Sequence, residues 1–126
     1  MSLAKSLGAK VSVIIVEEPF DWLGVSETKA QQALGELANH AEQIKKHAAS
    51  VLNRIADTAK QAGVPCETIQ VENAQPYKAI IAAALDRGCD LIVMASHGRS
   101  GISAVVLGSV TNKVLTHTKI PVLVCH

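Results

Sequence analysis

Apolar positions alternate with polar ones in some stretches of the chain and recur every three or four residues in others, so the pattern predicts both strands and helices. Residues 10–16, KVSVIIV, form a β-branched run that predicts a strand, and Gly8 ahead of it suits the residue that ends a helix. From Ala30 onward apolar residues recur at helical spacing as far as Ala62, and Gly63 follows as a stop. The first half of the chain therefore predicts a helix end, a strand and a long helix.

The second half continues the alternation of strands and helices. Residues 66–72 alternate polar and apolar side chains, which predicts a half-buried edge strand. A helix is predicted from Pro76 to Gly88, and the segment 90–95, DLIVMA, is apolar at every position but the first, which predicts a strand with helices on both of its faces. Segment 109–119 predicts a short helix and segment 120–125, IPVLVC, a last strand.

Strands that alternate with helices pair in parallel through right-handed crossovers. The predicted fold is α/β: an open, mostly parallel twisted sheet with about four strands in this chain and helices on both faces. A chain of 126 residues is long enough for one domain of this kind and too short for two, so residues 1–126 are interpreted as a single domain.

Composition excludes several classes of protein. Twelve Lys and Arg against 11 Asp and Glu give a net charge of +1, and only three aromatic residues are present, so a nucleic-acid partner is not expected. The sequence contains no run of about 18 uninterrupted apolar residues, the length that a membrane-spanning helix needs. Cys66, Cys89 and Cys125 are odd in number and widely spaced, which fits neither a disulfide framework nor a metal site. Buried, free thiols and a cytoplasmic location are predicted.

The segment between the strand at 90–95 and the helix at 109–119 carries the candidate chemistry. A strand, a glycine-containing loop and a helix start direct free backbone amides at an anion, which indicates phosphate binding. Gly98 would admit a close ligand, Gly108 would ease the turn into the helix, Ser109 would cap it and touch a phosphate oxygen, and Arg99 would add a cation. The same glycines and serine also occur in helices that bind nothing, and neither of the two best-known phosphate-loop motifs is present.

The segment MASHGRSGISAVVLGSVTNKVLTHTKIPVLVCH resembles the C-terminal signature of the universal stress protein family. Nucleotide-binding members of that family carry G-x2-G-x9-G-[ST], and here Gly98, Gly108 and Ser109 match while Ala95 replaces the first glycine. The resemblance implies a loop that binds ATP or ADP, with Mg as an accompanying ion. The nucleotide-binding positions expected from the loop and the resemblance are Val16, Met94, Ala95, Ser96, His97, Gly98, Arg99, Gly108, Ser109 and Val110.

One part of the family pattern is missing from this chain. Family members begin with a strand and an acidic turn that contacts the nucleotide, and the family places that strand in the middle of the sheet. This chain begins in the helix that follows them, as an N-terminally truncated domain would. We therefore expect the strands at 10–16 and 90–95 to pair directly; the alternatives are that a segment of a second chain is inserted between them or that the fold is loosened there. We expect this form to bind ATP weakly or not at all.

The function that these observations predict is that of a cytoplasmic stress-response protein that binds nucleotide and signals rather than turning it over. An alternative is a nucleotide-free dimeric adaptor of the same fold, and a slow ATP hydrolase is a third reading. No catalytic residue is nominated. His40 and His47 share a helix face without further metal ligands and are interpreted as solvated. The apolar last strand, Ile120 to Cys125, predicts a homodimer formed edge to edge.

Overall fold

The computed structural model describes residues 1–18, 27–96 and 108–125. The chain divides into two compact units, Met1–Glu72 and Asn73–His126, and each unit runs helix, strand, helix, strand. Both strand pairs are parallel, as the alternation of elements predicts. Within the described ranges, no helix combines the length and the apolar character that crossing a membrane requires.

The N-terminal unit is built around one long helix. Its elements are α1 (Ser2–Leu7), β1 (Val11–Glu17), α2 (Glu27–Ala62) and β2 (Cys66–Glu72). Strands β1 and β2 pair over their full length, starting with Val11 opposite Cys66. Gly8 follows α1 with φ 62° and Gly63 follows α2 with φ 71°, a backbone region that glycine adopts without steric cost. Both predicted helix stops are confirmed.

Helix α2 packs on both strands of its unit. Ala48, Leu52 and Ala59 are the buried apolar residues of its inner face among the described side chains. The two alanines are small and let the helix approach the sheet closely. The Gln70 side chain of β2 donates from Nε2 to the Lys45 carbonyl oxygen of α2, over 3.0 Å. The predicted helical face is right at Ala48 and Ala59 and wrong at Ala41 and Ile44, which are exposed.

The C-terminal unit has shorter elements than the sequence predicts. They are α3 (Pro76–Asp86), β3 (Ile92–Ala95), α4 (Ser109–His117) and β4 (Val122–Cys125). Pro76 lies in the first turn of α3 as predicted, and Gly88 follows that helix with φ 63°. Strands β3 and β4 each begin two residues later than predicted, and α4 ends two residues earlier.

The core of this unit lies between the two helices and one face of the sheet. Ala84 of α3, Ile92 of β3 and Val114 of α4 are buried together. The half-buried apolar residues around them are Tyr77, Ile80, Ile81, Cys89, Met94, Val110, Ile120 and Val122. The prediction that β3 is covered on both faces holds for one face only, because Val93 is 55% exposed. Side chains of successive strand residues point to opposite faces, so Ile92 and Val93 have different surroundings despite their similar character.

The strands form two two-stranded sheets, β1 with β2 and β3 with β4. The predicted direct pairing of the strands at 10–16 and 90–95 is therefore wrong for the described residues. Each strand pairs instead with the strand that follows it through one helix, which is the local βαβ connection. Apolar character on both faces indicates that a strand is buried, but it does not identify the neighbouring strand.

Candidate functional site

The candidate site lies where β3 ends and α4 begins. Two short hydrogen bonds meet at Ser96, the first residue after β3: its amide donates to the Cys125 carbonyl oxygen over 2.7 Å, and its own carbonyl oxygen accepts from the Gly108 amide over 2.7 Å. Ser96 is buried. Ser96 is therefore joined both to the last strand and to Gly108, the residue before α4.

Thr111 provides a second link between β3 and α4. Its hydroxyl, Oγ1, donates to the Ala95 carbonyl oxygen over 2.8 Å, and the residue is only 4% exposed. A buried hydroxyl needs a hydrogen-bond partner, and this carbonyl supplies it. Sequence reasoning did not identify Thr111, because a threonine in the first turn of a helix ordinarily indicates nothing beyond local capping.

Helix α4 begins differently from the sequence prediction. Gly108, not Ser109, is its N-cap residue, and no side chain caps the helix end. The first hydrogen bond inside the helix runs from the Asn112 amide to the Gly108 carbonyl oxygen. The predicted capping role of Ser109 is therefore wrong, since this serine is already the first helical residue.

The backbone of Gly108 also has a different role from the predicted one. Its φ of −60° and ψ of 151° are open to every residue type, so the turn into the helix does not require glycine. Its amide is bonded to Ser96 and is not directed at a ligand. The amides of Ser109, Val110 and Thr111 have no acceptor among the described residues. Three backbone donors at the positive end of the helix dipole therefore lie at the carboxyl end of β3.

The structure brings most of the described site residues together. Met94 and Ala95 end β3, Ser96 follows, and the next described residues are Gly108 and α4. Val16 lies in β1 of the N-terminal unit, one residue before that strand ends. His97, Gly98 and Arg99 lie outside the described residues, and their predicted contacts remain predictions.

Other residues singled out in the sequence lie apart from this site. His40 and His47 are exposed on α2, as predicted. The described residues contain no group of three or more His, Cys, Asp or Glu side chains placed to hold a metal ion. All three cysteines are free, but Cys66 and Cys89 are only half-buried and Cys125 is exposed. The prediction of buried thiols is thus wrong for Cys125, whose side chain lies at the end of a strand.

The fold and the site together define an α/β domain in which a helix start follows the carboxyl end of a parallel strand. Comparison with known proteins gives the family. The sequence model of the Universal stress protein family matches residues 1–126, and the chain belongs to this family.

Two relatives show how far the likeness extends. The Thermus aquaticus protein named "universal stress protein in QAH/OAS sulfhydrylase 3′ region" is 31% identical over 121 residues, which are 95% of this chain and 80% of that protein. Universal stress protein MJ0531 of Methanocaldococcus jannaschii is 28% identical over 124 residues, covering 98% of this chain and 69% of its own length.

A solved structure shares the fold as well. The crystal structure of a universal stress protein in complex with cAMP matches with a TM-score of 0.61 and 26% identity, over 98% of this chain and 78% of the other. That protein binds an adenine nucleotide.

Proposed function

We propose that this chain binds an adenine nucleotide, ATP or ADP, through the segment that joins β3 to α4, and that it acts by binding and signalling in a stress response. The observation that carries the proposal is that the amides of Ser109, Val110 and Thr111, at the carboxyl end of a parallel strand, have no acceptor in the part of the chain that the structure describes. Ligands of open α/β folds bind at this end of the strands. The cAMP complex of a family member supports a nucleotide as the ligand class.

The chemistry of these donors favours a phosphate group. Backbone amides at a helix start donate hydrogen bonds to anionic oxygens, and the helix dipole adds a partial positive charge of about half a unit. The Ser109 hydroxyl, in the first turn of α4, is free to add a further contact. Gly98 and Arg99 would complete the phosphate contacts, and a Mg ion would accompany ATP. We expect binding without turnover and a cytoplasmic location, which the three free cysteines support.

The test uses two helix starts of the same unit. We expect ATP, ADP and cAMP at millimolar concentration to shift the backbone amide resonances of Ser109, Val110 and Thr111 in two-dimensional NMR spectra. The amide of Tyr77 in the first turn of α3 serves as the control and should not shift; the next amide, that of Lys78, already donates to the Gln75 carbonyl oxygen. Equal shifts at both helix starts would indicate nonspecific anion binding and would overturn the proposal. We expect weak affinity, so each titration must reach several millimolar nucleotide.

A second candidate function is that of a dimeric adaptor that binds no nucleotide. It is supported by the open face of the β3–β4 sheet, where Val93 is 55% and Leu123 is 42% exposed. Pro121 and Cys125 accept hydrogen bonds from β3, so Val122 and Val124 direct their amides to the other edge of β4. A second copy would pair with that edge through Ile120 to Cys125.

Light scattering tests the dimer. We expect a dimer at micromolar concentration, and we expect Val124→Pro to give a monomer because proline removes a donor from the outer edge of β4. A wild-type monomer would contradict the proposed dimer. A dimer that shows no nucleotide shifts at α4 would favour the adaptor function over nucleotide binding.

A further inference from the structure

We propose that Thr111 is a positioning residue that fixes the start of α4 against the end of β3. Its hydroxyl bond to the Ala95 carbonyl oxygen lies beside the bond between Ser96 and Gly108, so two neighbouring links join the two elements. The consequence for ligand binding rests on the proposed function, whereas the link between the two elements does not.

The direction of the Ala95 carbonyl explains why Thr111 is needed. The amides of Ile92 and Ser96 both point to the β4 side, where they donate to the carbonyl oxygens of Pro121, just before β4, and of Cys125, its last residue. Because the backbone of a strand alternates with a period of two, the Ala95 carbonyl points to the opposite edge of β3. No strand pairs with that edge among the described residues, and the Thr111 hydroxyl is the donor that satisfies this carbonyl.

The second step concerns the amides beside Thr111. The hydroxyl comes from the third helical residue of α4, and the preceding residues Ser109 and Val110 supply two of the three unpaired amides. A bond from this turn to β3 fixes the direction of all three amides relative to the strand end. A site whose geometry is already fixed in the free protein loses less conformational entropy when it binds a ligand. Thr111 would thereby raise nucleotide affinity without requiring a contact between its side chain and the nucleotide.

The third step is that two neighbouring links are stronger than one. Eleven residues, 97–107, separate Ser96 from Gly108, and holding these two residues together costs loop-closure entropy. If the Thr111 bond is removed, the bond of Gly108 to Ser96 must offset that cost alone. Removal of the hydroxyl should therefore loosen the bond of Gly108 before any other bond of the unit.

The experiment compares Thr111→Val with Thr111→Ser in the full chain. Valine keeps the shape of threonine and lacks the hydroxyl, whereas serine keeps the hydroxyl. By native-state hydrogen exchange without nucleotide, we expect the Gly108 amide to exchange about tenfold faster in Thr111→Val and within about threefold of wild type in Thr111→Ser. The amide of Ile92, which donates to Pro121 at the other end of β3, should change little in either variant.

Val114→Ala is the control for a general loss of stability. It removes buried volume from the same helix and touches neither link. We expect Val114→Ala to accelerate exchange at Gly108 and Ile92 equally and Thr111→Val to accelerate it only at Gly108. That difference would show that the effect of Thr111→Val is specific to the two links between β3 and α4. Unchanged exchange at Gly108 in Thr111→Val, or equal acceleration at both amides, would overturn the inference.

Nucleotide titration separates this inference from the proposed function. Where ATP shifts the amides of α4 in wild type, we expect a several-fold weaker apparent affinity for Thr111→Val and recovery in Thr111→Ser. Equal affinities in wild type and Thr111→Val would contradict the positioning role in binding. If ATP shifts no amide in wild type while Gly108 exchange responds as expected, the proposed function fails and the structural inference stands.

Discussion

The rings of Tyr77 and His117 lie 4.8 Å apart between centroids and are inclined by 44°. This contact joins the first turn of α3 to the last turn of α4. The His117 Nδ1 atom also lies 2.8 Å from the Lys113 carbonyl oxygen, and the Lys113 ammonium group lies 5.7 Å from the centre of the Tyr77 ring. One half-buried tyrosine thus contacts two residues that are one helical turn apart on α4.

We expect a double-mutant cycle of Tyr77→Leu and His117→Ala to give a coupling free energy of about 0.5 kcal/mol, the low end for aromatic pairs, because His117 is exposed. Urea denaturation of the four proteins measures it. Tyr77→Leu also removes the contact with Lys113. That loss occurs both with His117 and with Ala at position 117, so it cancels from the coupling free energy. A coupling of zero would show that the two rings are neighbours without mutual stabilisation.

The core of the C-terminal unit is tested by shortening Val114, whose exposed fraction is 0%. We expect Val114→Ala to lower the free energy of unfolding by about 2 kcal/mol, since it leaves a cavity beside Ala84 and Ile92. The matched control is Leu115→Ala on the outer side of the same helix, where the side chain is 38% exposed and a smaller loss is expected. Equal losses in the two variants would contradict the packing of α4.

The contact of α2 with its sheet is tested by enlarging a small residue. Ala59 has an exposed fraction of 0%, so Ala59→Leu has no space for the added methyl groups and should destabilise the protein by about 1–3 kcal/mol. Ala41 is an exposed residue of the same helix, and Ala41→Leu should change the free energy of unfolding by less than about 0.5 kcal/mol. Thermal or urea unfolding distinguishes the two, and a tolerated Ala59→Leu would mean that α2 lies farther from the strands.

Substitution of Ser109 should affect nucleotide affinity without affecting the free energy of unfolding. Its side chain makes no capping bond, so Ser109→Ala should leave the free energy of unfolding within about 0.5 kcal/mol of wild type. Nucleotide affinity should fall several-fold if the hydroxyl contacts a phosphate oxygen. Gly108→Val should weaken binding further if the ligand lies against the Cα atom of this residue, since φ and ψ there admit valine and only its side chain would interfere. A loss of stability near 1 kcal/mol in Ser109→Ala would instead indicate a capping role.

Most of the fold could be predicted because its signals are local. The exact bounds of β2, the helical character of α2 from Ala30 to Ala62 and the stops at Gly8 and Gly63 follow from periodicity and from backbone conformations that glycine favours. The pairing of strands could not be predicted in the same way. The residues of β1 and β3 show that both strands are apolar, but register and neighbours depend on contacts between distant parts of the chain.

The position of the candidate site could be predicted from the sequence, but its hydrogen bonds could not. The succession of a strand, a glycine-containing loop and a helix start locates the site at Ala95 to Ser109. The assignment of Gly108 as the N-cap, and the use of its amide by Ser96, depend on φ and ψ at one residue and on how the loop closes. Thr111 carried no signal in the sequence, because its partner is a backbone carbonyl 16 residues earlier, and any residue type supplies such an acceptor.

The short bond from the Ser96 amide to the Cys125 carbonyl oxygen has a practical consequence. Cys125 carries an exposed thiol, and its own backbone is one hydrogen bond away from the residue at which the loop begins. A fluorophore attached there would sit beside the candidate site without replacing any residue of it. Cys66 and Cys89 are less accessible, so mild labelling conditions favour Cys125 and give the chain its own attachment point for an optical reporter beside the candidate site.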